Sequence, residues 1–215
     1  MSHTLSEADS KELLSEFSLP FAPEVLATNP DEAVDAALSV GLPVAVKLCG
    51  KNVSHKTERR LVRLNVGSDE DVRTIAEELL EAATAADEAT GVLVAPMISG
   101  AREFIAGLSH DEQFGMTVLF GLGGVFAESI ADVAIRLVPI TRLDAQEMIE
   151  QLQNVSLLDE FRGEMAVDRE AVIDVLMALS EAASNRPEIV SVDINPLIIS
   201  NGLPVAVDAL VEVNS

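Results

Sequence analysis

Lys47 stands inside the apolar run PVAVKLC (43–49), where a charged side chain is costly unless an anion meets it. The loop that follows, GKNVSHKTERR (50–60), adds cations, hydroxyls and main-chain N–H groups, the ingredients of a polyphosphate cradle. On this reading a strand delivers Lys47 to neutralise phosphate; a strand-end lysine snorkelling to solvent gives the same local pattern. His55 lies beside Lys56, and a nearby cation favours the neutral imidazole, the form that attacks phosphorus. Taken alone, such a histidine is more often an ordinary exposed imidazole than a catalytic group. FGLGG (120–124) lacks the Gly-Lys-Ser/Thr that would complete a Walker loop, so its glycines serve either close approach to an anion or a tight turn. DINP (193–196) and VAVDAL (205–210) put Asp193, Asn195 and Asp208 on consecutive short strands able to pair as a hairpin. Two or three oxygen ligands of this kind suit Mg²⁺, and polar residues facing water from an edge hairpin are the alternative. His3 and His110 have no comparable neighbourhood, no His/Cys zinc spacing exists, and the lone Cys49 reads as a small apolar filler.

The elements that must position these residues follow from periodicity. Helices are predicted at 6–17, 30–41, 69–88, 143–152 and 167–184, several opening on acids that favour the positive helix end. Strands are predicted at 43–49, 61–66, 91–97, 102–109, 116–124, 133–140, 189–195, 196–200 and 203–210. The mixture is α/β or α+β, one domain or two closely packed lobes, with a lobe boundary near the turn SGAR (98–101).

Composition bounds the function. Across 215 residues the formal net charge is −22, yet six of the fourteen Lys and Arg fall between 44 and 66. The acids are spread along the chain, so they form a solvated surface, and such a surface repels nucleic acid. Four lysines, no Tyr and no Trp suit a protein kept soluble in high salt, and an extreme halophile is the expected source. The absence of an apolar leader or long apolar run predicts a cytoplasmic protein without membrane contact.

Taken together, PVAVKLCGKNVSHKTE, REFIAGLSHDEQFGMTVLFGLGGVFAESIADVAIRLVPI, FRG and DINPL followed by VAVDA resemble the ATP-grasp module of NDP-forming acyl-CoA synthetases, best known as ADP-forming acetyl-CoA synthetase. The match runs in order from about Leu5 to Val213, at the length of a free-standing beta subunit. The resemblance implies a two-lobed ATP-grasp fold of α/β (α+β) class, with lobes at 22–97 and at 98–215 plus the N-terminal helix 1–21, and nucleotide held between them. It implies the reaction acyl-CoA + ADP + phosphate ⇌ carboxylate + CoA + ATP, and a distant relation to the succinyl-CoA synthetase beta subunit. It also implies a CoA-binding alpha subunit that carries the principal phosphohistidine, hence a hetero-oligomer active only with that partner. ATP/ADP and Mg²⁺ are the implied cofactors.

By the same resemblance, Lys47 contacts nucleotide phosphates, His55 is a second phosphorylation site, Glu103 is an acid near the nucleotide, and Asn195 and Asp208 bind Mg²⁺ with Asp193 beside them. Val94, Ala95, Pro96 and Met97 line the adenine pocket through their backbone, and Arg136 belongs to the signature with Gly121, Gly123 and Gly124. Relatives commonly carry glycine where this chain has Arg60. If that glycine serves a positive φ or close approach of phosphate, Arg60 reshapes the loop or offers a side-chain cation instead. A non-catalytic nucleotide-sensing module is the alternative that Arg60 keeps open.

Overall fold

Val44–Gly50 (β3) is buried at all seven positions, as a strand covered on both faces must be. The computed structural model describes residues 2–53, 56–124, 131–160 and 163–214. His55 therefore lies outside the described residues, as do the Phe and Arg of FRG and positions 125–130 of the glycine-containing signature. The chain separates into two units, one comprising Thr4–Asp9 and Ala22–Met97, the other Met1–His3, Ser10–Phe21 and Ile98–Ser215.

In the first unit an antiparallel sheet runs β2 (Val25–Ala27), β5 (Ala89–Pro96), β3, β4 (Val62–Val66). The helices α2 (Pro30–Val40) and α3 (Asp69–Ala82) pack on it. Asn29 caps α2 by accepting from Glu32 N, and Ser68 caps α3 by accepting from Asp71 N, so small polar residues set where each helix starts. Val44, Val46 and Leu48 of β3 join Val92 and Val94 of β5, Ala33 and Ala37 of α2, and Val72, Ala76 and Leu79 of α3 in one core. Burying each Val or Leu fully is worth about 1.5–3 kcal/mol. Strand alternation then turns Ala45, Lys47 and Cys49 to the opposite face.

The helix predicted to reach residue 88 stops at Ala82. Ala83 is extended, and Thr84 to Asp87 form a short 3-10 turn whose two ends bond each other. Asp87 accepts from Thr84 N at 2.8 Å and Thr84 Oγ1 at 2.7 Å, and takes both guanidinium nitrogens of Arg59 at 2.7 and 2.9 Å. The competing bonds of this one carboxylate end the helical pattern.

In the second unit the sheet runs β1 (Ser2–Thr4), β11 (Ala209–Asn214), β9 (Ile189–Ser200), β6 (Glu103–Asp111), β7 (Gly115–Leu122), β8 (Val133–Leu137), with β10 (Leu203–Ala206) also on β9. The helix α5 (Arg169–Asn185) lies on β6 and β7 and packs with α4 (Arg142–Glu150). Phe104 and Phe120 stack in its core with ring centroids 5.3 Å apart. The two strands predicted at 189–195 and 196–200 are one strand, and the single strand predicted at 203–210 is interrupted at Val207 and Asp208. The helix α1 (Glu7–Ser15), opened by Ser6 accepting from Asp9 N at 3.1 Å, is divided between the units at Asp9 and Ser10.

Candidate functional site

Lys47 is 8% exposed, and the anion it needs comes from its own unit. Its Nζ donates to Glu7 Oε1 at 2.7 Å, and the other oxygen of that carboxylate takes Lys56 Nζ. Both Glu7 and Lys56 are largely buried, with 3% and 14% of their side chains exposed. The snorkelling alternative for Lys47 therefore fails: the ammonium is inside, ion-paired, on the sheet face turned away from the α2–α3 core. A buried charge keeps such a place only where its partner geometry offsets the loss of water.

The strand residues Val94–Met97 continue along the same sheet. Lys47 pairs with Leu93 and Ala45 with Ala95, so the odd-numbered positions of both strands share the face that carries Lys47. Val94 is in the apolar core, which leaves its backbone as the part able to meet a ligand. Pairing with β2 ends at Val94, whereas β3 continues beside Ala95 and Pro96. Among the described residues, the ladder on the β2 side thus ends at Val94. The Met97 N–H is already given to the Pro43 carbonyl at 3.1 Å.

In the other unit, the register of β9 against β6 passes from Leu197↔Phe104 to Ile194↔Ala106, so Asn195 and Pro196 together face Ile105. This is a β-bulge at a predicted ligand, a device that re-aims a side chain. Opposite it lies the break between β10 and β11: Ala206 pairs with Leu197 and Ala209 with Ile194, which places Val207 and Asp208 beside Pro196 and Asn195. Val207 N donates to Pro196 O at 3.3 Å, and Lys11 Nζ donates to the Val207 carbonyl at 3.1 Å. Asp208 thus sits between strands rather than on one, yet adjoins Asn195 as the hairpin reading requires.

Although Asp193 is exposed over the residue as a whole, burial of its carboxyl and then the like charge of Asp208 hold that carboxyl above the usual range. Two carboxylates that repel each other beside an amide oxygen make a donor set that fits a hard divalent cation. Among the described residues no group of three or more His, Cys, Asp or Glu gathers as a metal site.

Glu103 opens β6, and its carbonyl accepts from Gly123 N at 2.8 Å. A Cβ at Gly123 would stand 2.9 Å from the Phe104 carbonyl carbon, and one at Gly121 would stand 2.7 Å from the Asp132 carbonyl oxygen. These glycines are explained by backbone packing against the neighbouring strands. Arg136 donates to Gln151 Oε1 at 2.9 Å and lies 3.8 Å from Glu147, bracing β8 to the end of α4. The buried Asp132 at the head of β8 accepts from Gln153 N, Asn154 N and Asn154 Nδ2. Burial would raise its carboxyl, but these bonds outweigh it and hold the group below the usual range.

Sequence reasoning counted Lys56 only among the cations of the loop 50–60, and missed Glu7, Lys11 and Asp132 as site or supporting residues. The available signal was the lysine count, since Lys11, Lys47 and Lys56 are three of only four lysines in so acidic a chain.

A family model described as an ATP-grasp domain matches residues 1–213. The acetate–CoA ligase [ADP-forming] II subunit beta of Pyrococcus furiosus is 38% identical over 197 residues, 90% of this chain and 84% of that protein. Subunit beta of ligase I from the same organism is 36% identical over 208 residues, 95% of this chain and 90% of that protein. Among solved structures, the dinucleotide-forming acetyl-coenzyme A synthetase 1 of Ca. Korarchaeum cryptofilum, in complex with coenzyme A, Ca-AMPCP and HgCl⁺, superposes with a TM-score of 0.92 at 35% identity, covering 99% of this chain and 94% of that one. The chain belongs to the ATP-grasp family and, within it, to the group that holds the beta subunits of ADP-forming acetate–CoA ligases.

Proposed function

We propose that this chain is the nucleotide-binding beta subunit of an ADP-forming acyl-CoA synthetase, converting acyl-CoA, ADP and phosphate to carboxylate, CoA and ATP with a CoA-binding alpha subunit. The observation that carries the proposal is the buried Lys47 on the same sheet face as Ala95, two residues farther along the ladder. That is about 7 Å along a strand, a span suited to a nucleotide with its base at Ala95–Met97 and its phosphates at the lysines. Lys47 and Lys56 would neutralise phosphate charge, and the Val94–Met97 backbone would hold adenine. Glu103 would lie near the nucleotide. Mg²⁺ held by Asn195 and Asp208, with Asp193 beside them, would supply further neutralisation of the nucleotide phosphates. Catalysis of phosphoryl transfer is then mostly positioning and electrostatics.

His55 completes the proposal as the phosphoryl carrier. A ring nitrogen takes the phosphoryl group from the partner's phosphohistidine, forming one P–N bond as the other breaks. An oxygen of the ADP β-phosphate then attacks phosphorus, releasing the imidazole and forming ATP. The proposed setting is cytoplasmic and rich in salt.

Arg60 does not argue for a non-catalytic module. Its φ of 57° is the conformation that a glycine supplies freely, so the loop backbone takes that form despite the substitution. The test is reconstitution with the CoA-binding subunit in high salt, measuring CoA released from acetyl-CoA. Release should require both ADP and phosphate. His55→Ala should cut turnover on the order of a thousandfold while Mg-ADP binding persists. A verified complex that binds ADP but turns over none of several acyl-CoAs would establish the sensing module instead.

A further inference from the structure

The Glu7 carboxylate has no part in the phosphoryl chemistry proposed above, yet it is 4% exposed and binds both lysines assigned to the phosphates. It comes from the first turn of α1, far from the β3 strand and its loop in sequence. Each of its oxygens takes a different ammonium, Oε1 that of Lys47 and Oε2 that of Lys56. One carboxylate therefore fixes the separation of two cations, one on a rigid strand and the other in a loop. The two ammonium groups are like charges in a largely buried space, and this carboxylate lies bonded to both. A lysine ammonium on a four-carbon stem has little directional preference of its own, so its aim must be imposed by a neighbour.

We propose that Glu7 is a positioning residue, holding the Lys47 and Lys56 ammonium groups as a preset pair that grips the nucleotide's phosphates. The inference rests on the nucleotide reading of Lys47. It assigns Glu7 to the phosphate end of the ligand, because its carboxylate bonds the two lysines placed there. Preset charge costs no reorganisation when phosphate arrives, which is how such groups contribute most.

The test compares Mg-ADP and adenosine binding to the full chain by calorimetry, for the wild type, Glu7→Gln and Glu7→Asp. Glu7→Gln should weaken ADP binding about tenfold, the size of one charge-assisted hydrogen bond, and leave adenosine binding unchanged. Glu7→Asp keeps the charge and withdraws the carboxylate by one methylene, so it should fold and lose a smaller factor for ADP alone. It also stands as the deciding variant if Glu7→Gln does not fold. Equal losses for ADP and adenosine would reduce Glu7 to a general structural role and overturn the inference. ADP affinity unchanged or improved in both variants would overturn it too, the latter by showing that Glu7 merely competes with phosphate. A wild type that binds neither ligand would instead defeat the nucleotide reading itself, and the inference with it.

Discussion

Arg60 carries a long cationic side chain at a φ of 57°, where an L residue is strained and glycine is not. The left-handed conformation costs such a residue about 1–2 kcal/mol, which glycine would relieve, while its freer unfolded chain would cost about 0.5–1 kcal/mol against that gain. The bonds that define the turn are main-chain ones on the Arg60 side: its N–H goes to Thr57 O at 3.1 Å and its carbonyl accepts from Arg63. Arg60→Gly keeps them, so it should raise the free energy of unfolding by about 0.5–1 kcal/mol, read from urea midpoints at constant slope. A fall would mean that the exposed side chain contributes more than its backbone costs. At this scale the sequence was partly legible. A lysine in an apolar strand announces that it needs an anion, but nothing in the local pattern names Glu7, forty residues away. Equally, the glycines of FGLGG pointed to close approach without saying that the nearest neighbour of Gly121 and of Gly123 is backbone.

Elements whose periodicity was strong emerged within a few residues of expectation; those ended by a distant partner did not. The third helix reads as continuous to residue 88, and it stops because Asp87 is claimed by Arg59 and Thr84. Its pairing with Arg59, and then with Thr84, holds the Asp87 carboxyl well below the ordinary range. A carboxyl lowered on folding stabilises the protein fully above its unfolded value, about 3.9, and that contribution is lost as the pH falls through the lower folded value. Asp87→Asn should therefore lower the urea midpoint at pH 7, and its gap from the wild type should close as the pH drops below about 4. A gap independent of pH would show that the turn is held by shape rather than by this charge. The same tertiary override explains β9 and its partners. The hairpin was legible from DINP and VAVDAL, whereas the bulge at Asn195 and the break at Asp208 depend on registers that only the assembled sheet fixes.

The charge of the whole molecule poses a question of magnitude. With −22 net charges on a surface of 11047 Å², one net negative charge serves roughly 500 Å², a mean spacing of about 22 Å. The Debye length is about 30 Å at 0.01 M salt, about 10 Å at 0.1 M and about 3 Å at 1 M. Repulsion between charges so spaced is thus relieved mostly below 0.1 M, and ordinary screening leaves little to gain beyond it. Opposing this, exposed pairs such as Arg142 with Glu170 and Asp174 weaken as salt rises, although such pairs are worth only about 0–1 kcal/mol. Net repulsion should win at the dilute end. The melting temperature should climb steeply from 10 to 100 mM KCl and change less from 100 mM to 1 M. A melting temperature that keeps rising to 2 M would overturn screening as the reason for the acidic surface, and would point to carboxylates that hold ordered water and cations in concentrated salt. The contrast separates two meanings of the same composition: a surface that merely tolerates salt, and one that is built from it.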